Sequence, residues 1–264
     1  MLTLLSSQTA LAEKTISLVA SDMDGTLTRY GKFTSVLLKA LEELSAANIA
    51  VLIVTGRSAG WVQGLKSYLP VMGAIAENGG VYFSRDREQP ELLTSIPDLI
   101  VHRQQLGKMF AKLKREFPQI RESTDNCFRL TDWTFDVQGL NSLELQQLGT
   151  LCVEEGWGFT YSTVQCHIKP QNQTKAISLL QVLKNHFSEL NRDEIITVGD
   201  SPNDESLFDR VIFPLSVGVA NILHYTDQLK HLPTYITSLE EGEGFNELAQ
   251  FLLKNNSEVS IHDR

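Results

Sequence analysis

The sequence predicts an α/β protein in which a smaller α+β cap domain is inserted into a core with a parallel sheet. Two observations lead to this prediction. Apolar segments of strand type alternate with helical segments at both ends of the chain, which is typical of a parallel sheet covered by helices. From about residue 85 to residue 169 this alternation gives way to the order αββαββ, with short connections between strands. We therefore expect a Rossmann-like core and a separate cap.

The first core segment begins with the predicted strand Ile16–Ser21. Ser35–Ala47 has apolar residues at helical spacing, and the continuous apolar run Ile49–Val54 indicates a strand buried on both faces. The next predicted elements are a helix and two strands: Trp61–Tyr68, Val71–Ala76 and Val81–Ser84. This βαβ rhythm favours a parallel sheet.

The inserted segment begins after a polar stretch that ends in Pro90, a composition typical of a domain boundary. Its predicted elements are, in order, helix Leu99–Phe117, strands Cys127–Thr131 and Thr134–Gln138, helix Leu143–Glu155, and strands Phe159–Ser162 and Gln165–Lys169. Short connections between the strands predict a small antiparallel sheet that carries two helices.

The core pattern then resumes. The predicted elements are helix Gln173–His186, strands Glu194–Val198 and Val211–Leu215, and the closing helix Phe245–Leu253. We therefore assign residues 1–84 and 170–254 to the core and residues 85–169 to the cap. The polar residues 255–264 are expected to be disordered.

Composition excludes several classes of function. The chain has 264 residues, 42% hydrophobic and 21% charged, with a net charge of −9. An acidic chain without a basic run is not expected to bind nucleic acid, and no apolar run is long enough to span a membrane. Three cysteines without metal-ligand spacing predict reduced thiols in a cytoplasmic protein. The oligomeric state does not follow from the sequence.

The segment Asp22-Met23-Asp24-Gly25-Thr26 directly follows the first predicted strand. Residues two apart in extended backbone project to the same side, so Asp22 and Asp24 would lie together. Two buried carboxylates are costly without a compensating cation, and a divalent metal would neutralise them. Gly25 lets the chain turn sharply beside a ligand. The pair indicates a metal site in which one carboxylate attacks and the other moves a proton.

Three further signals lie where a parallel sheet places its site. Thr55-Gly56-Arg57 offers a hydroxyl, a glycine amide and a cation, which together suit a phosphate. Asp200 would point at a metal held by the first aspartate. Asn203 and Asp204 follow at a helix start, where they either cap that helix or orient metal-bound water. Lys175 lies near the start of another helix, and its function depends on the other motifs.

In chain order, Asp22-Met23-Asp24-Gly25-Thr26, Thr55, Lys175 and Gly199-Asp200-Ser201-Pro202-Asn203-Asp204 resemble the four motifs of the haloacid dehalogenase (HAD) superfamily of phosphohydrolases. The resemblance extends over about residues 15 to 250. The insert is similar to the αββαββ cap of the Cof-type branch, which includes sucrose-phosphate phosphatase, mannosyl-3-phosphoglycerate phosphatase and phosphomannomutase. Two further segments also resemble that branch: Ala76-Glu77-Asn78-Gly79-Gly80 and Gly218-Val219-Ala220-Asn221.

This resemblance implies a mechanism and a cofactor. Asp22 would attack phosphorus to give an aspartyl-phosphate, and Asp24 would protonate the leaving alkoxide and then activate water. Mg²⁺ would be held by the Asp22 carboxylate, the Asp24 backbone carbonyl and Asp200, with Asp204 behind them. The remaining predicted site residues stabilise or bind the phosphoryl group: Thr55, Lys175, Gly25, Thr26, Gly56, Arg57 and Asn203.

The cap is expected to supply specificity. His167 and Lys169 approach the junction with the core, where they would meet a second anionic or polar group of the substrate, and Arg129 is a further candidate. Aromatic side chains of the cap either stack on a sugar or pack between sheet and helices: Trp133, Phe135, Trp157 and Tyr161. For the charged residues, the competing interpretation is a solvated strand face.

We therefore expect a Mg²⁺-dependent phosphatase of a small phosphorylated metabolite, either a sugar phosphate or a glycosyl-phosphoglycerate. A phosphomutase of the phosphomannomutase type would share the same residues and cap, and is the first alternative. A non-catalytic binding protein on the same scaffold is the second, against which the intact Asp22, Asp24, Lys175 and Asp200 argue.

Overall fold

The computed structural model describes residues 2–5 and 9–262, and its secondary structure alternates as an α/β protein should. The strands are β1 (Thr3–Leu4), β2 (Leu18–Ser21), β3 (Ala50–Val54), β4 (Gly73–Ala76), β5 (Val81–Ser84), β6 (Glu91–Leu92), β7 (Trp133–Asp136), β8 (Trp157–Tyr161), β9 (Gln165–Pro170), β10 (Ile195–Gly199), β11 (Ser216–Gly218) and β12 (Tyr235–Ile236). The α-helices are α1 (Thr9–Ala12), α2 (Ser35–Ala46), α3 (Ala59–Tyr68), α4 (Leu99–Glu116), α5 (Ser142–Glu154), α6 (Lys175–His186) and α7 (Glu241–His262). Within the described residues, no helix combines the length and the apolar character needed to cross a bilayer.

The large sheet confirms the predicted core. Over the described residues its strand order is β1-β12-β11-β10-β2-β3-β4-β5-β6, parallel from β1 to β4, with β5 and β6 added antiparallel at one edge. Strand β2 shows why the apolar runs are continuous. Leu18 and Ala20 pack on α6, whereas Val19 packs in the layer of α2 and α7, so both faces of the sheet are buried.

The cap is a small antiparallel sheet in the order β7-β9-β8, with α4 and α5 packed on it. One predicted strand is wrong. Where Cys127–Thr131 was expected to pair, the chain forms a 3₁₀ helix, Thr124–Phe128. The amide group of Asn126 explains this: its nitrogen donates to the Thr134 carbonyl at 2.7 Å, and its oxygen accepts from the Thr134 N–H at 2.9 Å. One side chain therefore makes the two bonds that a neighbouring strand would have made.

Two other elements differ from the sequence prediction. The apolar segment Val211–Leu215 is not a strand, because the N–H groups of Ile212 and Phe213 both donate to the Asp209 carbonyl and close a turn, so the strand begins at Ser216. The closing helix α7 also continues to His262, through residues that were expected to be disordered. Residues 263 and 264 lie outside the described part of the chain.

The position of β6 bears on the domain boundary. Glu91 and Leu92 pair with β5 at the edge of the large sheet, so the polar segment from Arg85 onward folds with the core. We propose that the cap comprises about residues 93 to 170 and is joined to the core by the connections on either side of it.

Candidate active site

Strand register brings the two aspartate motifs together. Strands β2 and β10 are parallel neighbours, and the Asp22 N–H donates to the Val198 carbonyl at 2.9 Å. Asp22 and Asp200 each follow the carboxyl end of one of these strands, and Thr55 follows the next strand, β3. The predicted residues therefore meet at one edge of the sheet, where open α/β sheets place ligands.

Three carboxylates form the centre of this site. Asp22, Asp200 and Asp204 each offer an oxygen, and these oxygens lie within 4.8 Å of one another. All three residues are buried; Asp22, the most accessible of them, is 3% exposed. Such a concentration of buried negative charge is unfavourable unless cations balance it.

Lys175 supplies part of that balance. Its ammonium group donates to Asp22 at 2.5 Å and to Asp204 at 2.6 Å. Burial would lower the pKa of Lys175, but the two carboxylates outweigh burial and raise it, so the side chain is charged. The other oxygen of Asp204 accepts from the N–H groups of Asp200 and Ser201, which fixes the loop after β10. Asp204 is thus a positioning group rather than a free ligand.

One lysine does not neutralise three carboxylates, and the pKa values show the excess. Burial, reinforced by Asp204, raises the pKa of Asp22 from 3.8 to about 7 although Lys175 opposes the rise. The pKa of Asp200 is also raised well above its ordinary value by burial and by the neighbouring carboxylates. An all-oxygen set with excess negative charge fits a hard divalent cation such as Mg²⁺ and does not suit a softer metal.

The loop after β2 orients Asp200. The Thr26 hydroxyl donates to one oxygen of Asp200 at 3.1 Å, and the Asn221 amide donates to the other at 2.9 Å. Gly25 has a φ of +84°, and a Cβ there would lie 2.4 Å from the Asp200 carboxylate, so only glycine fits. Asn221 also donates to the Gly25 carbonyl and ties the two loops together.

Asp24 is held by an arginine from the next loop. The Arg57 guanidinium donates to one Asp24 oxygen from Nε at 2.8 Å and to the other from Nη2 at 2.6 Å. This is a bidentate ion pair, and the hydrogen bond to Asp24 raises the pKa of Arg57. The Thr55 hydroxyl accepts from the Arg57 N–H at 3.1 Å and so shapes the same loop.

The cap closes over these residues. The cleft between them has a volume of about 10 Å³ and is lined by Asp22, Asp24, Gly56, Arg57, Ser162, Val164, Gln165, His167 and Asn203. This is about the space of one water molecule. A phosphorylated substrate therefore requires the cap to move away, and the described conformation is a closed one.

The predicted cap residues separate into two groups. His167 lines the cleft, packs against Gly56 and bonds through Nδ1 to Asp132 at 2.8 Å. Lys169 does not line it, because its ammonium donates to the Gln173 carbonyl at the core junction. Arg129 is also engaged elsewhere: it pairs with Asp132 and donates to the Gly56 carbonyl.

The four aromatic residues lie outside the lining of the closed cleft. Phe135 is fully buried in the cap core, and Trp133 packs on Phe110. Trp157 packs against His102 on the side of the connections between cap and core, while the Tyr161 hydroxyl donates to the Gln228 side chain of the core. Their contacts match the packing interpretation rather than sugar stacking.

The sequence did not assign roles to several residues that shape the site. Asn221 orients Asp200, as described above, and Asn78 accepts from the Asn203 amide at 3.1 Å. The buried carboxylate of Glu77 accepts from the N–H groups of Ala59 and Thr131, which fastens the cap chain to the core. The only sign of their importance in the sequence is that the segments around Glu77, Asn78 and Asn221 resemble the Cof-type branch.

Comparison with known proteins agrees with this geometry. The family model of haloacid dehalogenase-like hydrolases matches residues 19–103, which include the first two motifs and the loop of Asn78. This part of the chain is therefore similar to haloacid dehalogenase-like hydrolases.

Curated relatives match nearly the whole length of this chain. Phosphoglycolate phosphatase 1 of Saccharolobus solfataricus is 28% identical over 90% of this chain and 96% of its own. A phosphoglycolate phosphatase of Methanothrix thermoacetophila is 29% identical over 88% of this chain and 95% of its own. Among solved structures, a Thermoplasma acidophilum protein superposes with a TM-score of 0.72 at 22% identity, over 90% of this chain and 99% of its own. The sucrose-phosphatase of Synechocystis superposes with a TM-score of 0.65 at 17% identity, over 90% of this chain and 98% of its own. At these identities the two structures show a shared fold.

Proposed function

We propose that this protein is a Mg²⁺-dependent phosphatase of HAD type that hydrolyses a small phosphorylated metabolite through a phosphorylated Asp22. The observation that carries the proposal is the buried cluster in which Asp22, Asp200 and Asp204 surround one lysine at the carboxyl ends of the strands. Such a cluster is costly for stability and is explained by the chemistry it supports.

The reaction would proceed in two balanced steps. A carboxylate oxygen of Asp22 attacks phosphorus, the bond from phosphorus to the ester oxygen breaks, and Asp24 gives that oxygen a proton. Asp24 then takes a proton from the water that attacks the phosphorylated Asp22, which releases inorganic phosphate and restores the carboxylate. Lys175 holds Asp22 in place and stabilises charge on the transferring group.

The residues that would hold Mg²⁺ are Asp22 and Asp200, kept in position by Thr26, Asn221 and Asp204. When bound, the ion supplies positive charge that lets a phosphate dianion approach an acidic site. The Asp24 backbone carbonyl is the third expected protein ligand.

The comparisons indicate which leaving group to test first. The relatives that match nearly the whole chain are named as phosphoglycolate phosphatases. Phosphoglycolate is therefore the first substrate to test.

The test is phosphate release from phosphoglycolate, glucose 6-phosphate, sucrose 6-phosphate and mannosyl-3-phosphoglycerate, with Mg²⁺ and without added bisphosphate. We expect release, fastest from phosphoglycolate, and none from Asp22→Asn. Transfer that needs a bisphosphate activator would identify a phosphomutase instead. Binding of the ligands without turnover would favour a non-catalytic protein and overturn the proposal.

A further inference from the structure

The ion pair between Arg57 and Asp24 conflicts with the chemistry proposed for Asp24. Both oxygens of Asp24 accept hydrogen bonds from the guanidinium, at 2.8 and 2.6 Å. A group that passes a proton to an ester oxygen needs one of its own oxygens within hydrogen-bond distance of that atom. The closed form therefore shows Asp24 occupied by a partner that must give up at least one bond during turnover.

Arg57 also carries the positive charge of the cleft. Among the described residues that line it, Arg57 is the one lysine or arginine. His167 lines it too, but burial lowers the pKa of His167 and favours the neutral ring. Lys175 and Arg129 are engaged with carboxylates on its borders. A second acidic group on a substrate would thus be met by Arg57.

The position of Arg57 limits where that second acid can be. Its guanidinium lies against the group that protonates the ester oxygen, so it faces the leaving group rather than the far side of the phosphoryl group. A carboxylate one or two carbon atoms from the ester oxygen would therefore lie within reach of Arg57. The planar guanidinium fork matches a carboxylate as well as it matches Asp24.

Resting on the phosphatase function proposed above, we propose that Arg57 exchanges partners: it binds the carboxylate of a short phosphorylated hydroxy acid and thereby releases Asp24 for proton transfer. Arg57 is then a specificity-determining residue, and the substrate class is phosphate esters of two- or three-carbon hydroxy acids. An ester whose leaving group is neutral leaves the Arg57–Asp24 pair intact and is turned over slowly.

Two esters of nearly equal size separate this role from a structural one. Phosphoglycolate and 2-hydroxyethyl phosphate differ mainly in a carboxylate that replaces a hydroxymethyl group. We expect Arg57→Gln to lower kcat/KM for phosphoglycolate roughly 100-fold, as loss of a charged bidentate contact should. The same change should raise kcat/KM for 2-hydroxyethyl phosphate, because Asp24 is then no longer held in the ion pair. Arg57→Lys should recover only part of the loss, because an ammonium lacks the fork. Arg192→Gln, at an exposed arginine, is the matched control for charge and should change neither ester.

Binding provides a readout that does not depend on turnover. In the inactive Asp24→Asn background with Mg²⁺, calorimetry compares phosphoglycolate with inorganic phosphate, which lacks a carboxylate. Adding Arg57→Gln should lower the affinity for phosphoglycolate roughly tenfold or more and leave the affinity for inorganic phosphate unchanged.

Other outcomes would contradict the proposed exchange of partners by Arg57. An equal loss of affinity for both ligands would mean that Arg57 binds the phosphoryl group, and no change in either affinity would mean that Arg57 does not contact the ligand. Equal kinetic losses on both esters would likewise show a structural role. If the unmodified protein released phosphate from no ester, the phosphatase function itself would fail, which is a separate result.

Discussion

Replacing Asp22 by Asn should make the metal-free protein more stable while abolishing phosphate release. Asp22 is 3% exposed, and burial together with Asp204 raises its pKa from 3.8 to about 7. Asparagine has nearly the same shape and keeps an oxygen that accepts from Lys175. The substitution therefore removes an unfavourable buried charge with little change in packing.

The magnitude follows from the pKa shift. A rise from 3.8 to about 7 corresponds to about 4 kcal/mol of folding free energy, and this figure already includes the opposing attraction of Lys175. In a protein of this size such a change should raise Tm by roughly 8 °C.

The sign of the pH dependence is fixed by the direction of the shift. The folded protein binds the Asp22 proton more tightly than the unfolded chain does, so wild-type stability falls as pH rises from about 4 to about 7. The Asp22→Asn variant does not lose stability over this range. Its gain in the free energy of unfolding over wild type should therefore be near zero at pH 4 and complete at pH 8.

Thermal unfolding in a chelator, at pH 4 and at pH 8, measures this difference. Asp136→Asn, at an exposed position in the cap, controls for the loss of a carboxylate at a site of little burial. Saturating Mg²⁺ should shrink the advantage, because the ion stabilises the wild-type carboxylates. A variant less stable than wild type at pH 8 without metal, or an equal gain at both pH values, would refute the reasoning.

Four further outcomes are expected. Exhaustive chelation should abolish phosphate release, and Mg²⁺ or Mn²⁺ should restore it while Ca²⁺ inhibits, because it favours more ligands; full activity in the chelator would contradict this. Glu77→Gln should lower the free energy of unfolding, measured with denaturant, by roughly 2–3 kcal/mol, because its amide group would face buried N–H donors. The control Glu116→Gln, at an exposed position, should leave the free energy of unfolding almost unchanged. His167→Asn retains a donor for Asp132 and should lower kcat/KM for phosphoglycolate more than for p-nitrophenyl phosphate; equal losses would assign His167 to the core chemistry. Tyr161→Phe should change KM and small-angle scattering little, because water can replace the exposed bond from its hydroxyl to Gln228, and a several-fold rise in KM would show that this bond holds the cap closed.

The core motifs were predictable because strand position alone determines them. Asp22, Thr55 and Asp200 each follow an apolar strand, and parallel strands end at the same edge, so their meeting required no knowledge of contacts. The pairing of Arg57 with Asp24 was not predictable in this way. It depends on a side-chain rotamer and on a loop that follows a different strand.

The cap was less predictable because long-range side-chain contacts decide its details. The strand predicted at Cys127–Thr131 was displaced by the amide of Asn126, which satisfies the edge of β7 in its place. Lys169 follows His167 by two residues in β9, yet its length carries the ammonium to the Gln173 carbonyl instead of the cleft. A sequence pattern predicts the face of a strand but not the reach of a long side chain.

The contacts between cap and core differ in how much free energy it costs to break them, and this difference indicates how the cleft opens. On one side, buried Glu77 holds the N–H of Thr131, and the Arg129 guanidinium donates to the Gly56 carbonyl. Breaking these contacts would leave buried polar groups unpaired, at about 1–3 kcal/mol for each. On the other side, the Tyr161 hydroxyl meets the exposed Gln228, a bond that water can replace at little cost. We therefore expect the cap to rotate about the Glu77 side and to separate at Tyr161, which admits substrate while the junction beside Asp24 stays assembled.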